Sequence, residues 1–238
     1  MVSRLLNLIY PAVCELCQRP LSDGLSLCPA CQPQLPRLTA PFCATCGEPF
    51  DGNLTGEFQC QNCPGLNPAF DFARAALKGL APSFNLVHRL KYQRHFFLAR
   101  SLATFLHETI LADERFRDYR DPLLIPVPLH WRRQQWRHGN QAHELARELA
   151  KASGVTLSNS LVRKRPTQTQ TKLNRRQRLS NLRGAFQIKK SQVEKLHQRN
   201  IILIDDVFTT GATTHECSRI LKKEAGASRV AVLTLVRG

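Results

Sequence analysis

The apolar residues divide the chain into a cysteine-rich beginning and a longer remainder in which strand-like and helix-like stretches alternate. Short apolar runs predict strands at residues 72–77, 123–127, 185–188, 201–204 and 229–236. Apolar residues three or four positions apart predict helices at residues 83–111, with a break near 92–95, and at 140–153 and 213–225. This alternation favours an α/β fold with a mostly parallel sheet flanked by helices.

Two stretches lie outside this alternation. Residues 163–183 are polar and strongly basic and lack an apolar face, so we predict a long mobile loop there. Trp131 and Trp136 alternate with arginines just after the strand at 123–127. Exposed aromatic side chains beside arginine stack on unpaired bases, but tryptophan is more often packed in the interior, and packing is favoured here.

Eight of the nine cysteines lie in the first 63 residues as four C-x-x-C pairs. The pairs are Cys14 with Cys17, Cys28 with Cys31, Cys43 with Cys46, and Cys60 with Cys63. Each successive two pairs predict one zinc ribbon, in which four thiolates hold a tetrahedral ion, and this arrangement is favoured over interleaved pairs. Iron suits the same ligands, but zinc is favoured. Both ions are predicted to be structural, because four protein ligands leave no open coordination position.

A linker rich in proline, glycine and asparagine at residues 64–68 separates two predicted domains, a double zinc ribbon at 1–68 and an α/β domain at 69–238. The net charge of +16 is concentrated in the second domain, where residues 132–183 hold thirteen basic and two acidic side chains. A nucleotide or nucleic acid is therefore the expected partner. Because the sequence contains neither a long apolar run nor a signal-peptide pattern, we predict a cytoplasmic protein without a membrane span.

The segment from Ile201 to Thr214 carries the most specific chemical pattern. Four apolar residues lead to Asp205 and Asp206, at the end of a predicted strand, where α/β sheets bind ligands. Adjacent carboxylates can accept hydrogen bonds from a vicinal diol, and the following Thr/Gly loop at a helix N-terminus suits an anion. Because the segment lacks the P-loop and Rossmann glycine patterns, the predicted ligand is a sugar bearing a terminal phosphate.

This segment resembles the phosphoribosyl pyrophosphate-binding motif of type I phosphoribosyltransferases. The chain as a whole is similar to the ComF/GntX family through the two four-cysteine units, Leu90-Lys91-Tyr92, Ile125-Pro126-Val127-Pro128-Leu129, Asn140-Gln141-Ala142, Gln170 and Arg178-x-x-Asn181-x-x-Gly184-Ala185-Phe186. The resemblance spans nearly all 238 residues. It implies a type I phosphoribosyltransferase fold behind the double zinc ribbon.

The resemblance also implies roles for individual residues. Asp205 and Asp206 would be the catalytic pair that holds the ribose hydroxyls. The phosphate would be bound by Val207, Thr209, Thr210, Gly211, Ala212 and Thr213. The pyrophosphate loop would comprise Val127, Pro128, Leu129 and His130, with Arg132 and Arg133 beside it. Mg²⁺ would enter with the ligand, and residues 163–183 would form a lid over the reacting bond.

Two functions remain open from the sequence. One is an enzyme that transfers a phosphoribosyl group to an acceptor that the resemblance does not supply. The other is a non-catalytic module that binds single-stranded DNA or a nucleotide, which the basic segment favours. The family is associated with competence and DNA utilisation, so the resemblance implies a role in DNA uptake or use, with a DNA-uptake helicase or other competence proteins as partners.

Overall fold

The computed structural model describes residues 12–21, 26–50, 52, 56, 58–63, 67–92, 95–167 and 175–238. Its strands are β1 Phe72–Lys78, β2 Leu123–Pro126, β3 Thr156–Leu157, β4 Leu161–Arg163, β5 Phe186–Ile188, β6 Asn200–Phe208 and β7 Arg229–Arg237. Its α-helices are α1 Ala81–Tyr92, α2 Leu98–Ala112, α3 Trp131–Arg137, α4 Gln141–Ser153, α5 Arg175–Leu182, α6 Val193–Leu196 and α7 Ala212–Ala225. Short 3-10 helices lie at Gln32–Gln34, Glu114–Asp118 and Lys190–Gln192.

Five strands form one parallel sheet in the order β1-β7-β6-β2-β3. Strands β4 and β5 form a separate antiparallel pair. Because the five strands run the same way, their carboxyl ends meet at one edge, which is where open α/β sheets bind ligands. The predicted fold class, a parallel sheet flanked by helices behind two four-cysteine units, is confirmed.

Side chains on the central strand β6 alternate between two cores. Ile202 and Ile204 join the core made with α1, α2 and α4, whereas Ile201 and Leu203 join the core made with α7 and the β4–β5 pair. All four side chains are at most 1% exposed. The strand is therefore apolar on both faces, as expected for a strand in a parallel sheet that is covered on both sides.

Local signals set the helix boundaries. The predicted break near residues 92–95 separates α1 from α2, as expected. Helix α4 begins where the Asn140 side chain accepts a hydrogen bond from the Ala142 amide at 3.1 Å, and it ends at Gly154, whose φ is +73°. The predicted helices at 140–153 and 213–225 are thus confirmed.

The two cysteine units extend different cores. Cys14, Cys28 and Cys31 of the first unit pack with the core on the α1–α2 side. The cysteines of the second unit pack with the core on the α7 side. The first unit is also fastened by the Ser26 amide, which donates to Ser101 Oγ at 2.9 Å. Each unit therefore belongs to the hydrophobic core of the sheet rather than standing apart from it.

The cysteine-rich segment also runs along the outer edge of strand β1. The Leu38 amide donates to the carbonyl of Ala76 at 3.0 Å, the Lys78 amide donates to Pro36 at 2.8 Å, and the Ala73 amide donates to Thr45 at 2.8 Å. Strand β1 pairs with β7 on its other side. The edge of the sheet is therefore covered by main-chain hydrogen bonds from the ribbon segment.

Two predictions about local structure were wrong, and one helix was missed. Residues 163–183 are not one long loop: Arg163 ends strand β4, and α5 occupies Arg175–Leu182. Leu182 is fully buried, so this stretch does contribute to the core. The middle of the predicted lid, residues 168–174, lies outside the described residues. Strand β6 also continues to Phe208, so that the two aspartates lie inside it rather than after it, and α3 was not predicted.

Across the described ranges, no helix combines the length and the apolar character needed to cross a membrane.

Candidate ligand site and metal centres

The first metal centre comprises Cys14, Cys17, Cys28 and Cys31. The second comprises Cys43, Cys46, Cys60 and Cys63. In each, the thiol sulfurs lie within 4.8 Å of one another, so neighbouring C-x-x-C pairs combine as predicted. Cys17 is exposed, while the other seven cysteines of the two centres are buried.

The sulfur positions fit a tetrahedral zinc ion. Thiolates ~2.3 Å from one zinc lie about 3.8 Å apart at the corners of a tetrahedron. The distance from Cys17 Sγ to Cys28 Sγ is 3.7 Å, and that from Cys43 Sγ to Cys63 Sγ is 3.8 Å. The sulfur positions in both centres therefore suit a zinc ion, and four protein ligands would make each a closed structural site.

Main-chain amides prepare one thiol in each centre for the metal. The Cys28 amide donates to Cys14 Sγ at 3.4 Å, and the Cys60 amide donates to Cys43 Sγ at 3.3 Å. Burial opposes ionisation of both thiols, but these and neighbouring amides outweigh it, lowering the pKa of Cys14 to about 6 and that of Cys43 to about 7. The thiolate is the form of cysteine that binds zinc, so Cys14 and Cys43 are preorganised for metal binding.

Asp205 and Asp206 lie near the carboxyl end of β6 and, as consecutive strand residues, point to opposite faces of the sheet. Asp206 Oδ1 lies 3.0 Å from Lys91 Nζ, at the end of α1. Asp205 Oδ1 accepts the Asp206 amide at 2.9 Å. Burial and the neighbouring Asp206 carboxylate raise the pKa of Asp205 to about 7. The pair therefore combines an ion-paired carboxylate with one that takes up a proton near neutral pH.

The loop after β6 leads directly into the N-terminus of α7. Gly211 has a φ of +73°, and a Cβ at this position would lie 2.6 Å from the ring of Phe208, so only glycine fits. Gly211 precedes the first residues of α7, Ala212 and Thr213, and has no side chain with which to cap the helix. Arg178 Nη1, on α5, donates to Thr209 Oγ1 at 3.3 Å. The loop thus offers a helix N-terminus and a cation to one anion.

The loop after β2 lies beside the aspartates. Pro126 pairs with Ile204, and the Val127 amide donates to the Ile204 carbonyl at 2.9 Å. Asn140 Nδ2 holds the loop from the other side by donating to the Val127 carbonyl at 2.9 Å. Val127, Pro128, Leu129 and His130 therefore share one edge of the sheet with the residue pair Asp205 and Asp206.

His130 closes this loop and begins α3. Its side chain is 4% exposed, and Nδ1 accepts the Arg132 amide at 3.4 Å. Burial and the nearby positive charges of Arg163, Arg132 and Arg133 lower the pKa of His130. The ring is therefore neutral at physiological pH, with Nδ1 as the acceptor and Nε2–H as the donor.

The two arginines that follow His130 differ in environment. The guanidinium of Arg132 lies 5.2 Å from the ring centroid of Trp131, on the exposed side of α3. Arg133 is partly buried, and its Nη2 donates to the Thr167 carbonyl at 3.2 Å. Trp131 and Trp136 are 56% and 68% exposed, so the prediction that they pack in the interior was wrong.

Arg237 connects the second cysteine unit to the loop after β6. Its side chain is 7% exposed, and Nη1 donates to the carbonyls of Phe208 at 3.1 Å and Thr209 at 3.0 Å. Nη2 forms an ion pair with Glu48, two residues beyond Cys46. The position of this loop therefore depends on a residue that also contacts the ribbon.

Sequence reasoning gave no role to Lys91 or Arg237, and treated Arg163 and Arg178 only as parts of the lid. Lys91 and Arg178 do stand in the motifs that carried the family resemblance, which was the available signal for them. Arg163 and Arg237 had none, because their burial depends on contacts that are distant in sequence. Three of these side chains contact the edge where β2 and β6 end: Lys91 at Asp206, Arg178 at Thr209 and Arg237 at Phe208. Arg163 interacts electrostatically with Asp205.

The chain is similar to known proteins both in its cysteine-rich segment and over most of its length. Residues 5–64 match the model of the double zinc ribbon domain family. The chain is 33% identical over 214 residues to competence protein F of Haemophilus influenzae, covering 89% of this chain and 90% of the relative. It is 32% identical over 234 residues to the DNA utilization protein YhgH of Salmonella typhimurium, covering 97% and 99%. It is 26% identical over 253 residues to competence protein ComFC of Bacillus subtilis, covering 96% of each.

Solved structures similar to the chain include the hypoxanthine-guanine phosphoribosyl transferase of L. donovani, at 15% identity and a TM-score of 0.35, covering 59% of this chain and 71% of that one. The relatives at 30% identity or more match the chain over nearly its full length, through both the cysteine units and the sheet. The chain therefore belongs to the ComF/GntX family of competence protein F, as a protein with a double zinc ribbon and a parallel α/β sheet flanked by helices.

Proposed function

We propose that the carboxyl ends of β2 and β6 bind phosphoribosyl pyrophosphate or a related nucleotide, in a cytoplasmic protein that serves DNA uptake or DNA utilisation. One observation carries the proposal: Asp205 and Asp206 lead, within one strand and turn, to the helix N-terminus that follows Gly211. A ribose phosphate presents the complementary groups, a diol and a phosphate, at the two ends of one small molecule.

The acids suit the ribose. A carboxylate accepts hydrogen bonds from two neighbouring hydroxyls, and Asp205 and Asp206 offer carboxylates on both sides of the strand. Lys91 Nζ lies 3.0 Å from Asp206 Oδ1 and holds that carboxylate in place. Mg²⁺ fits the same oxygen donors and would enter with the ligand, where it would neutralise charge on the pyrophosphate.

The turn and helix suit the 5′-phosphate. Thr209, Thr210 and Gly211 approach the ligand before α7, and Ala212 and Thr213 form its first turn. Main-chain amides of a helix N-terminus point toward such a group, and the helix dipole favours its negative charge. Arg178, already bonded to Thr209 Oγ1, adds a cation at the same place. Val207 is the strand residue that joins the acids to this turn.

The cellular role rests on the relatives. Proteins named for competence and for DNA utilisation are similar to this chain over 89–97% of its length. Competence proteins and a DNA-uptake helicase are the partners that such a role implies.

Calorimetric titration tests the ligand. The zinc-loaded protein is titrated with phosphoribosyl pyrophosphate and Mg²⁺, beside the variant Asp205→Asn/Asp206→Asn. Asp121→Asn is the matched control, because Asp121 is an 81% exposed surface carboxylate paired with Arg199. We expect micromolar binding by the wild type and the control and at least a tenfold loss in the double variant. Release of pyrophosphate when candidate acceptors are added would extend the activity to phosphoribosyl transfer.

Two results would contradict the assignment. If the wild type does not bind phosphoribosyl pyrophosphate, the ligand assignment is wrong. If the double variant binds it with unchanged affinity, the ligand binds at another site. A melting curve of each protein separates loss of the site from loss of the fold.

Single-stranded DNA is a second candidate ligand, favoured by one exposed surface. The ring of Trp136 lies 5.6 Å from Tyr92, the Tyr92 ring lies 4.7 Å from His88, and the Arg137 guanidinium lies 5.1 Å from Tyr92. Trp136 and Tyr92 are 68% and 47% exposed. Large exposed aromatic rings next to arginine are the groups on which unpaired bases stack.

Fluorescence anisotropy with a labelled oligothymidine measures this binding. We expect Trp136→Ala to weaken it about 5- to 150-fold, since stacking is worth about 1–3 kcal/mol per base. Leu111→Ala serves as the control, because Leu111 is 64% exposed at the far end of α2. Equal affinities of Trp136→Ala and the wild type would exclude this surface as the DNA site.

A further inference from the structure

The side chain of Arg237 is a buried cation that contacts two parts of the molecule at once. Arg237 is the last residue of β7, and it is 7% exposed. Its Nη1 donates to the carbonyls of Phe208 at 3.1 Å and Thr209 at 3.0 Å, in the loop after β6. Its Nη2 forms an ion pair with Glu48 of the second cysteine unit. Among the described residues, Glu48 is the one carboxylate that pairs with this guanidinium.

Glu48 belongs to the turn that carries Cys43 and Cys46. The Cys43 amide donates to the Glu48 carbonyl at 2.8 Å, and the Gly47 amide donates to the Cys43 carbonyl at 2.9 Å. These two bonds close the turn that brings both thiols to the second metal centre. The carboxylate of Glu48 is therefore held against Arg237 while this turn, the first knuckle of the second centre, is closed.

The loop after β6 depends on the same guanidinium. The Phe208 carbonyl also accepts the Gly238 amide at 2.9 Å, so β7 fixes the start of the loop through its last two residues. The ring of Phe208 in turn fills the space beside Gly211, immediately before α7. A displacement of Arg237 would therefore free the main chain just before the residues that we propose to bind the phosphate.

These contacts make the two ends of Arg237 energetically dependent on each other. When the knuckle opens, Glu48 moves away and leaves a buried guanidinium without its counter-charge, which destabilises the protein. An empty loop can relax with Arg237 toward solvent and reduce this cost. A loop that holds a ligand cannot relax without losing the ligand, so opening the knuckle then costs more. By reciprocity, the closed knuckle favours ligand binding to the same extent.

We propose that Arg237 and Glu48 couple the second metal centre to the loop after β6, so that a ligand bound at residues 209–213 retains zinc in that centre and loss of this zinc weakens ligand binding. Arg237 is then a positioning residue, because it acts through the loop. The inference rests on the proposed function for the identity of the ligand. The first centre is outside this coupling, because its buried cysteines pack in the core on the α1–α2 side.

Zinc release to a chromophoric chelator tests the proposal, in zinc-loaded protein with and without saturating phosphoribosyl pyrophosphate and Mg²⁺. Zinc leaves through local opening of a knuckle, so the slowing of release by ligand measures the coupling. In the wild type, we expect ligand to slow release from the second centre about fivefold or more, the usual size of such couplings. Release from the first centre should change less than about twofold. Cys31→Ser and Cys46→Ser, each lacking one centre, assign the two phases.

Glu48→Gln removes the counter-charge of Arg237 and keeps the size of the side chain. In this variant, ligand should slow release from the second centre less than about twofold. Glu108→Gln is the matched control, because Glu108 of α2 also joins the ribbon segment to the sheet domain, through Arg37 at 2.8 Å. It should keep the wild-type response. A pair that only supported the fold would give faster release from Glu48→Gln with and without ligand, and an unchanged effect of the ligand.

Calorimetry on the same proteins separates this inference from the proposed function. If the wild type binds phosphoribosyl pyrophosphate but release from the second centre is not slowed, or both centres are slowed equally, the inference alone is wrong. A ligand effect that persists in Glu48→Gln also overturns it. If the wild type does not bind this ligand, the proposed function and the inference both fail. The comparison of the two centres in the wild type needs no variant, so it tests the inference even if Glu48→Gln holds zinc poorly.

Discussion

The raised pKa of Asp205 makes the stability of the ligand-free protein depend on pH in a way that one substitution reveals. Asp205→Asn keeps the size of the side chain and an oxygen that can accept the Asp206 amide, a contact of 2.9 Å in the wild type. It removes the negative charge. The comparison of the two proteins therefore isolates the cost of ionising Asp205 beside Asp206.

The sign follows from the direction of the shift. Burial and the Asp206 charge raise the pKa of Asp205 from 3.8 to about 7 in the folded protein. Between these values the folded protein keeps a proton that the unfolded chain releases, so the unfolding free energy falls as pH rises. The slope is at most about 1.4 kcal/mol per pH unit, and it vanishes above pH ~7, where both states are ionised.

The expected change in unfolding free energy is calculated over the pH range in which the protein keeps its zinc. From about pH 5.5 to about pH 8.5, the wild type should lose at most about 2 kcal/mol relative to Asp205→Asn. For a chain of this size, that difference corresponds to a Tm shift of roughly 4–8 °C. Asp205→Asn should thus melt above the wild type at the higher pH, with a smaller gap at the lower pH.

Thermal or urea denaturation at the two pH values measures the gap, with zinc present throughout. Asp121→Asn is the control, because its exposed carboxylate should give the same small difference at both pH values. A gap between Asp205→Asn and the wild type that does not change with pH, or that narrows as pH rises, would refute the reasoning.

Two further predictions concern the ion pair at Asp206 and the metal centres. Lys91→Met should lower the unfolding free energy by about 1–3 kcal/mol at pH 8, because Asp206, 13% exposed at its side chain, loses its partner at 3.0 Å. Urea titration measures this, and adding Asp206→Asn should recover most of the loss; purely additive losses would contradict the coupling. Chelator should remove zinc in two phases, the faster from the first centre, because Cys17 is exposed while all four cysteines of the second are buried. A chromophoric zinc assay should show the fast phase alone in Cys46→Ser and the slow phase alone in Cys31→Ser, and the reverse assignment would contradict the argument.

The sequence predicted the structural features that depend on the spacing of neighbouring residues. The four C-x-x-C pairs predicted both metal centres and the four cysteines of each, since neighbouring pairs are close enough to share one ion. The apolar run before Asp205 and the glycine at 211 predicted the strand, turn and helix around the candidate ligand site. These features are set by a few consecutive residues, so no tertiary information was needed.

Features that depend on distant contacts were missed. Strand β6 runs to Phe208 because Phe208 pairs with Arg237 of β7, a register that the sequence does not display. Helix α3 has no buried residue, so its helical pattern carried no apolar periodicity. Arg163 stands in a basic stretch that resembles a solvated loop, and only the packing of β4 against Phe186 buries it.

The hydrogen bonds that the ribbon segment makes along β1 have a consequence for solubility. Strand β1 is an edge strand, and Ala73, Ala76 and Lys78 would otherwise present main-chain groups to any passing chain. The zinc ions hold in place the segment that occupies these groups. Depletion of zinc should therefore uncover a seven-residue strand, buried along nearly its whole length, that can pair with its counterpart in another molecule. A sufficient supply of zinc should therefore limit aggregation as well as support the fold.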